Sequence, residues 1–341
     1  MATPFESAGW ATLFLAAIGA AVLSAVLIVA LKPLLVRYAL ARPNARSSHK
    51  VPTPQGGGIA VVGASLIVAG AILVALEPAE SFLVVAAAAI GLALVGAVDD
   101  IRPLPAALRL LLQVIAVATV VTVSGGRVLP DIPLLAEQAI LIFGGVWFVN
   151  LVNFMDGLDW ITVAEMVPIT AFLALLWFAD VLPAQVAVVA ASLCGALLGF
   201  APFNKPVARL FLGDVGSLPI GLLVGWILLK LAGAGALAAA LLLPLYYLMD
   251  ATITLLRRLG RRERVWEAHR SHFYQKATDN GFSALSVSAH VFGLNLALAA
   301  LAAITLAWRS QAVQIAALGL GVVLVSLILR RFSHKRPEVF R

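Results

Sequence analysis

Two aspartates at the end of an uncharged apolar run are the residues whose type and spacing first suggest chemistry. In the stretch NLVNFMDGLDW, Asp156 and Asp159 stand three residues apart, and Asn150 and Asn153 precede them at the same spacing. If a helix continues through the stretch, both acids lie on one face; if it breaks at Gly157, the loop can wrap a ligand. Polar groups at membrane depth are costly, so these side chains are candidates for a functional site.

Three more aspartates lie in two other motifs. Asp99 and Asp100 are adjacent in LVGAVDDIRPLP, and Asp214 stands between Gly213 and Gly216 in FLGDVGS. Adjacent residues do not share a helix face, so the pair can serve two roles, and carboxylates brought together repel unless a cation compensates them. Several carboxylates suit Mg²⁺, with Mn²⁺ as an alternative. The structural alternatives are a polar helix end for the pair and an N-cap for Asp214.

A basic segment near the C-terminal end carries two histidines. In VWEAHRSHFYQKATDNG, His269 and His272 are three residues apart with Arg270 between them. Imidazole and guanidinium groups suit phosphate oxygens. Zinc is disfavoured because two histidines without a third ligand rarely form a site. The alternative interpretation is a basic amphipathic surface segment.

Three weaker candidates leave two interpretations open. The glycines of PQGGGIAV either expose backbone N–H groups to an anion or let two helices pack closely. Asp250 and His290 lie within predicted helices, where each either lines a polar cavity or satisfies a neighbouring helix.

The composition identifies the environment of these residues. Hydrophobic residues make up 62% of the 341-residue chain and charged residues 12%, and the mean hydropathy is +1.02. A soluble domain carries about 25% charged residues, so the bilayer must be the solvent. We expect a single membrane-embedded domain over residues 1–341. The start of the chain lacks a basic signal-peptide region, so the first apolar run is expected to stay in the protein. The single cysteine, Cys194, excludes an internal disulfide.

Apolar runs long enough to span a bilayer predict an all-α, polytopic membrane protein with about eleven transmembrane helices. They cover residues 9–31, 56–76, 82–98, 105–123, 139–155, 161–179, 186–203, 215–232, 236–256, 284–306 and 312–329.

The basic residues predict the orientation of these helices. All but three of the 24 Lys and Arg residues fall in alternate connectors, the exceptions being Arg127, Lys230 and Arg309. Positive residues stay in the cytoplasm, so the N-terminus is expected outside and the C-terminus inside. The five aspartates of the motifs then meet at the cytoplasmic face. The basicity is therefore topogenic, and no nucleic-acid partner is expected.

The motifs VDD, NFMDGLD, FLGDVGS and HRSHFYQKA, in this order along nearly the whole chain, resemble the polyprenyl-phosphate N-acetylhexosamine-1-phosphate transferases of glycosyltransferase family 4. The resemblance implies a multi-pass enzyme of the bacterial inner membrane, with its active site at the cytoplasmic face. Such an enzyme moves a sugar 1-phosphate from a UDP-HexNAc donor to polyprenyl (undecaprenyl) phosphate in the bilayer, releases UMP and requires Mg²⁺. A homodimer is compatible with the sequence.

The resemblance also implies roles for individual residues. Asp99 and Asp100 match the acid pair near the lipid phosphate, Asp214 matches the metal ligand, and His269 and His272 match the catalytic motif that handles phosphate.

The remaining matched residues are expected to bind substrate. Asn153, Asp156 and Asp159 match the nucleotide-site motif, Lys50 matches a nucleotide contact, and Arg270 lies between the motif histidines.

Two departures from the family pattern indicate the branch. Trp160 replaces the last glycine of the Asp-Gly-[Ile or Leu]-Asp-Gly pattern, and lies either against the substrate or at the membrane interface. The peptidoglycan branch carries a run of histidines where this chain has His-Arg-Ser-His. Both differences favour the branch that starts O-antigen or capsule-type polysaccharides, with UDP-GlcNAc or a 6-deoxy relative as donor.

Two other classes of protein compete with this interpretation. A secondary transporter of a phosphorylated sugar or lipid would place its site near the bilayer midplane, at the interface of internal repeats. The acids here are expected at one face, and no inverted repeat is evident. A non-catalytic scaffold is disfavoured by the number of acids.

Overall fold

The computed structural model describes residues 4–41, 52–76, 80–264 and 269–336 of the chain. Two two-residue strands, β1 (Leu40–Ala41) and β2 (Thr53–Pro54), pair antiparallel beside the end of the first helix. All other regular elements in these residues are helices: α1 (Pro4–Tyr38), α2 (Gly57–Leu76), α3 (Glu80–Ile101), α4 (Ala106–Ser124), α5 (Leu134–Met155), α6 (Ile161–Leu175), α7 (Ala184–Phe200), α8 (Asp214–Gly233), α9 (Leu237–Leu242), α10 (Leu245–Gly260), α11 (Phe273–Asp279), α12 (Ala284–Ala307) and α13 (Gln311–Phe332).

The helices confirm an all-α membrane protein with many spans. Within the described residues, eight helices are long and apolar enough to cross a bilayer, and α6 and α7 are shorter apolar helices. The span predicted over residues 236–256 is divided into α9 and α10 at Pro244. Proline lacks the N–H that a continuous helix would need there. The count of eleven and the orientation in the membrane stay predictions.

Proline and serine set where several helices begin. Pro105, Pro133 and Pro183 directly precede α4, α5 and α7, where the missing N–H is not needed. Ser283 and Ser310 cap α12 and α13, because each hydroxyl accepts a hydrogen bond from a backbone N–H three residues later.

Helix α8 lies at the centre of the bundle, against α2, α3, α4, α5 and α9. Most of its side chains are buried, including Trp226. Its first residue is Asp214, so the packing of α8 decides where that carboxylate lies.

Two glycine contacts fix the start of α8. A Cβ atom on Gly58 of α2 would lie 2.1 Å from the Cα of Gly216, and one on Gly96 of α3 would lie 2.3 Å from the carbonyl of Asp214. Only glycine permits such close approach of two backbones. The N–H groups of Gly57 and Gly58 donate to the carbonyls of Phe211 and Leu212, at 2.9 and 2.8 Å. These N–H groups are engaged with the protein's own backbone, which favours the packing interpretation of this glycine run.

We expect Gly58→Ala to destabilise the protein by about 1–3 kcal/mol or more, because the added methyl group meets backbone that no rotamer change can move. The measurement is the thermal unfolding midpoint in detergent. Gly91→Ala in α3 is the control, since its Cβ would have no atom within 4 Å. Equal midpoints for the two variants would contradict the close crossing of α2 and α8.

Candidate active site

A polar cavity of about 730 Å³ opens where the C-terminal ends of α3 and α5 meet the first residues of α4 and α8 and the segment before α11. It brings together residues that lie more than 170 positions apart in the sequence. Seven of the ten residues predicted for the site line it: Asp99, Asp100, Asn153, Asp156, Asp214, His269 and His272.

Asp100 holds the start of α8. Its two carboxylate oxygens accept hydrogen bonds from the backbone N–H groups of Asp214 and Val215, at 3.1 and 3.2 Å. The first N–H groups of a helix have no partner within the helix, so Asp100 supplies an N-cap from another element. Gln55 donates to the carbonyl of Asp100 at 3.0 Å and ties the chain before α2 to the same point. Asp100 therefore positions Asp214.

Asp99 is paired with a cation, Arg109, that is not among the residues predicted from the sequence. Arg109, one turn into α4, donates to one oxygen of Asp99 at 2.5 Å, and the N–H of Leu104 donates to the other at 2.6 Å. Arg109 also lines the cavity. The sequence signal was an arginine near the start of an apolar helix, but nothing in its spacing tied it to Asp99. The pair places a guanidinium group, which suits phosphate, at the cavity wall.

Two asparagines of α5 fix the opposite wall. Asn153 donates to Asp214 at 2.7 Å and to the hydroxyl of Ser217 at 2.9 Å. Asn150, one turn earlier, donates to the side chain of Gln113 at 2.6 Å. Both asparagines line the cavity, and Asn153 fixes the orientation of the Asp214 carboxylate.

Asp156 and Asp159 diverge because α5 ends at Met155 and the chain turns. Asp156 faces the cavity and accepts a hydrogen bond from Thr162. Burial raises the pKa of Asp156 to about 8, against the lowering effect of Thr162, and the charges of Asp214 and Asp100 raise this pKa further.

Asp159 lies outside the cavity lining. It is buried, its carboxylate accepts from the N–H of Ala208 at 3.0 Å, and its carbonyl accepts from Ser288 at 2.8 Å. These contacts join the loop after α5 to the connector before α8 and to α12. Its predicted contact with substrate stays a prediction.

Trp160 occupies a backbone conformation that favours glycine, with a φ of 63°. The family pattern has glycine at this position. Trp160 keeps the left-handed backbone conformation, although a residue with a side chain adopts it with more steric strain than glycine. The indole N–H donates to the carbonyl of Ala201 at 2.6 Å, and the backbone N–H donates to Asn204 at 2.7 Å. Trp160 is therefore held against the end of α7 and is not part of the cavity lining.

Asp250 of α10 is a buried carboxylate that organises the histidine segment. It accepts hydrogen bonds from the backbone N–H groups of Phe273 and Tyr274, at 3.0 and 3.1 Å, and so caps α11 from another helix. It also lies 3.3 Å from Nδ1 of His272 and accepts from Tyr246 at 3.2 Å. From the sequence alone Asp250 has two possible roles, lining a polar cavity or satisfying a neighbouring helix.

The contact with Asp250 determines the tautomer of His272. A carboxylate oxygen accepts in this contact, so His272 donates from Nδ1 and Nε2 is the nitrogen left for a ligand. Nε2 donates to a phosphate oxygen when the ring is the imidazolium, in which both nitrogens carry protons. The ring of His272 is also stacked with Tyr274, at a centroid distance of 5.8 Å, and with Phe154, at 6.5 Å. Its orientation is therefore fixed by packing and by a hydrogen bond.

The other residues of the histidine segment are divided between the cavity and the surface. The ring of His269 lies 4.8 Å from that of His272, and its Nδ1 is 2.8 Å from the hydroxyl of Ser271. Arg270 lies outside the cavity lining and pairs with Thr278 and Asp279 of α11, each at 3.0 Å.

Lys50, the predicted nucleotide contact, lies outside the described residues.

The cavity residues fit a Mg²⁺ ion that is held partly by the protein and partly by the phosphate oxygens of a substrate. Within the described part of the chain, no three His, Cys, Asp or Glu side chains are arranged to hold one ion by themselves. Mg²⁺ commonly takes only one or two carboxylates and completes its shell with phosphate oxygens and water. Asp214, whose carboxylate is oriented by Asn153 beside Asp100, offers such a ligand.

Comparison with known proteins finds similarity to glycosyl transferases. The family model described as Glycosyl transferase family 4 matches residues 82–232, which include Asp99, Asp100, Asp156 and Asp214. A phospho-N-acetylmuramoyl-pentapeptide-transferase of Clostridium kluyveri is 30% identical over 234 residues, which cover 62% of this chain and 69% of that relative.

Two mycobacterial relatives are similar over a shorter share of their length. Decaprenyl-phosphate N-acetylglucosaminephosphotransferases of Mycobacterium tuberculosis and Mycolicibacterium smegmatis are each 33% identical, over 217 and 222 residues. The matches cover 54% and 56% of this chain and 52% and 53% of the relatives. The chain therefore spans about half the length of these relatives.

Proposed function

The chain belongs to glycosyl transferase family 4, and on that premise we propose that it transfers a sugar 1-phosphate from a nucleotide-activated sugar to polyprenyl phosphate in the membrane. The observation that carries this proposal is the cavity itself, in which four aspartates meet Arg109, His269 and His272 at the ends of membrane helices. Such a set of acids with a few fixed cations suits two phosphate substrates and a divalent metal ion.

We propose UDP-GlcNAc, or a 6-deoxy HexNAc relative, as the donor, and UMP as the leaving product. The reaction would initiate a cell-surface polysaccharide of the O-antigen or capsule type. The curated relatives are named for an N-acetylglucosamine phosphate and for an N-acetylmuramoyl pentapeptide phosphate. The choice of donor rests on the sequence, which has His-Arg-Ser-His in this segment; its two histidines line the cavity while Arg270 turns onto α11.

The four aspartates divide between two substrates in this proposal. Asp156 binds the nucleotide part of the donor, together with Asn153, and Asp214 holds the metal ion with Asp100 as its support. Asp99 acts on the polyprenyl phosphate through Arg109, since both of its oxygens are already engaged by donors.

Mg²⁺ is the proposed cofactor because the cavity is otherwise too negative for two phosphate substrates. Bound Mg²⁺ would neutralise diphosphate charge and stabilise the leaving UMP. The chain's own part is to orient the phosphates by fixed donors from Arg109, His269 and His272.

An apolar cleft of about 310 Å³ supports the choice of a polyprenyl acceptor. It lies between α4, α5, α8, α9 and α10, and its lining on α5 includes Val149, the residue before Asn150 of the polar cavity. We propose that the phosphate lies in the polar cavity while the isoprenoid chain follows this cleft. By the distribution of basic residues, the cavity faces the cytoplasm from the inner membrane.

The experiment that tests the proposal measures UMP release and the lipid product together. Purified protein receives a panel of UDP-sugars, undecaprenyl phosphate and Mg²⁺, and the lipid is analysed by mass spectrometry. We expect UMP and a HexNAc-diphosphate lipid in equal amounts with UDP-GlcNAc or a 6-deoxy relative. No lipid product with any donor, combined with uptake of a sugar phosphate into vesicles, would favour a transporter and overturn the proposal.

We expect Mg²⁺ to bind more tightly as the pH rises from 6 to 8. The pKa of Asp156 is about 8 in the folded protein against 3.8 for an aspartate in the unfolded chain, so folded protein without metal keeps a proton that the unfolded chain has lost. The free energy of unfolding contributed by Asp156 therefore falls as the pH rises from about 4 to about 8. A cation in the cavity opposes this fall because it favours the ionised form of Asp156. The measurement is the gain in thermal midpoint on adding Mg²⁺ at pH 6 and pH 8.

Asp156→Asn is the variant that checks the origin of this pH dependence. It should reduce the difference between the two pH values, because the titrating group is gone. Asp131→Asn, an exposed acid before α5, is the control. A pH dependence that persists unchanged in Asp156→Asn would assign it to other groups.

We expect Asp250→Asn to lower turnover by about tenfold, which corresponds to the loss of one hydrogen bond to a charged group. The asparagine has one oxygen in place of two, so it keeps an acceptor for only one of the two N–H groups of α11, and its NH2 group faces the donors on the other side. His272, which contacts the same carboxylate, is then held less firmly. The measurement is kcat of folded protein. Asp279→Asn, which removes an exposed carboxylate on α11, is the control and should retain turnover. Equal kcat for wild type and Asp250→Asn would limit Asp250 to a structural role.

A further inference from the structure

A second polar pocket, of about 630 Å³, lies at the end of α13 and apart from the active-site cavity. Its lining has five basic side chains and two apolar ones and no carboxylate: Phe282, Leu327, Arg330, Arg331, His334, Lys335 and Arg336. None of the reaction steps proposed above uses this pocket.

The basic groups are held together by contacts with the turn between α11 and α12. The guanidinium groups of Arg331 and Arg336 lie over the ring of Phe282, at 5.7 and 5.1 Å from its centroid. The N–H of Arg336 donates to the carbonyl of Asn280 at 3.0 Å, and the Asn280 amide donates to the carbonyl of Phe332 at 2.8 Å. The segment after α13 is therefore fixed on this turn.

The described residues supply no carboxylate to compensate the charge of the pocket. Among the residues that the structure describes, no ion pair joins Arg330, Arg331, His334, Lys335 or Arg336 to a carboxylate. Like charges that converge repel one another, so an anion in the pocket would be attracted by several cations at once. The chemistry that fits is a phosphate group.

An exposed apolar stripe on α13 identifies the source of this phosphate. Leu320, Val323 and Leu327 lie on one face of the helix and are 49%, 52% and 56% exposed. Leu327 also lines the pocket, so the stripe runs from the pocket along the membrane-facing side of α13. A free phosphate would make no use of this stripe, whereas an acyl chain would lie along it.

We propose that this pocket binds the headgroup of an anionic phospholipid, with an acyl chain against α13. Basic pockets beside membrane helices recognise such headgroups, and each basic residue near an anionic lipid surface typically raises the affinity about fivefold. The bound lipid would join α13 to the turn that follows α11, the helix that begins directly after His272. The lipid would therefore hold one end of the histidine segment in place.

The test titrates full-length protein, purified in a zwitterionic detergent, with phosphatidylglycerol, phosphatidylcholine or inorganic phosphate. Binding is followed by native mass spectrometry and by the thermal midpoint. The pocket variant is Arg330→Gln with Lys335→Gln, which leaves the two arginines on Phe282 in place. The control variant is Lys205→Gln with Arg209→Gln, which removes the same two charges from an exposed connector.

We expect phosphatidylglycerol to bind more tightly than phosphatidylcholine, and inorganic phosphate at the same concentration to leave the midpoint unchanged. The pocket variant should bind phosphatidylglycerol on the order of twentyfold more weakly, and the control variant should bind it normally. An equal loss in the control variant would assign the affinity to the general surface charge and overturn the proposal. Equal binding of the two lipids, or inorganic phosphate in place of lipid, would also overturn it.

Discussion

Asp214→Asn is expected to lower turnover by at least about a hundredfold while the protein stays folded. The substitution removes the carboxylate proposed to bind Mg²⁺, at the point where negative charge must be stabilised in the reaction. The asparagine carbonyl can still accept the hydrogen bond from Asn153, and repulsion from Asp100 is relieved. The thermal midpoint without metal should therefore be equal to that of the wild type or higher.

The measurement is turnover against Mg²⁺ concentration, with the thermal midpoint of each preparation. We expect the stabilisation by Mg²⁺ to be reduced together with activity, which separates a metal ligand from a residue that only supports the fold. Asp131→Asn, with its exposed acid far from the cavity, should behave as wild type. Wild-type activity and Mg²⁺ dependence in Asp214→Asn would remove Asp214 from the metal role.

His272→Ala is expected to reduce kcat on the order of a hundredfold, the typical cost of one preorganised donor at a reacting phosphate. The ring is fixed by Asp250 and by stacking on Tyr274, which leaves Nε2 for the substrate. A comparable loss is expected for His269→Ala. Arg270→Ala should have a smaller effect, because Arg270 pairs with Thr278 and Asp279 outside the cavity lining.

Two further substitutions at His272 separate its chemical role from its packing. His272→Asn can still donate to Asp250 from a group near the Nδ1 position, so it should keep α11 in place but lose as much kcat as alanine. His272→Gln can place an amide near the Nε2 position and should recover part of the rate. If Arg270→Ala were the most damaging variant while the histidine variants kept normal kcat, the segment would be a basic clamp for lipid headgroups.

The composition was sufficient for the class of fold. A chain with this hydropathy can satisfy its backbone in a bilayer only by forming helices or a closed barrel, and the long apolar runs favour helices. The structure confirms the helical class. The helix breaks were less predictable: the apolar run over residues 236–256 divides into α9 and α10 at Pro244, whereas Pro168 and Pro219 lie within α6 and α8, which continue through them.

The motifs predicted most of the site because polar groups in an apolar chain have few uses other than function. Arg109 is not predicted and Asp250 is left with two interpretations for the opposite reason, since a single charge near a helix end or within a helix has many structural explanations. Their partners, Asp99 and His272, are 10 and 22 residues away, and no regular spacing connects them.

The sequence by itself determined that this chain lies in a membrane, that its carboxylates stand at helix ends, and that their motifs match a phosphate-transfer family. Hydropathy and local spacing suffice for these conclusions, because they depend on neighbours along the chain. Only the tertiary structure decided that Asp156 faces the cavity while Asp159 turns to Ala208, and that Asp100 caps the helix beginning at Asp214. Those contacts follow from how closely helices approach at glycines such as Gly96, and that distance is set by packing across the bundle.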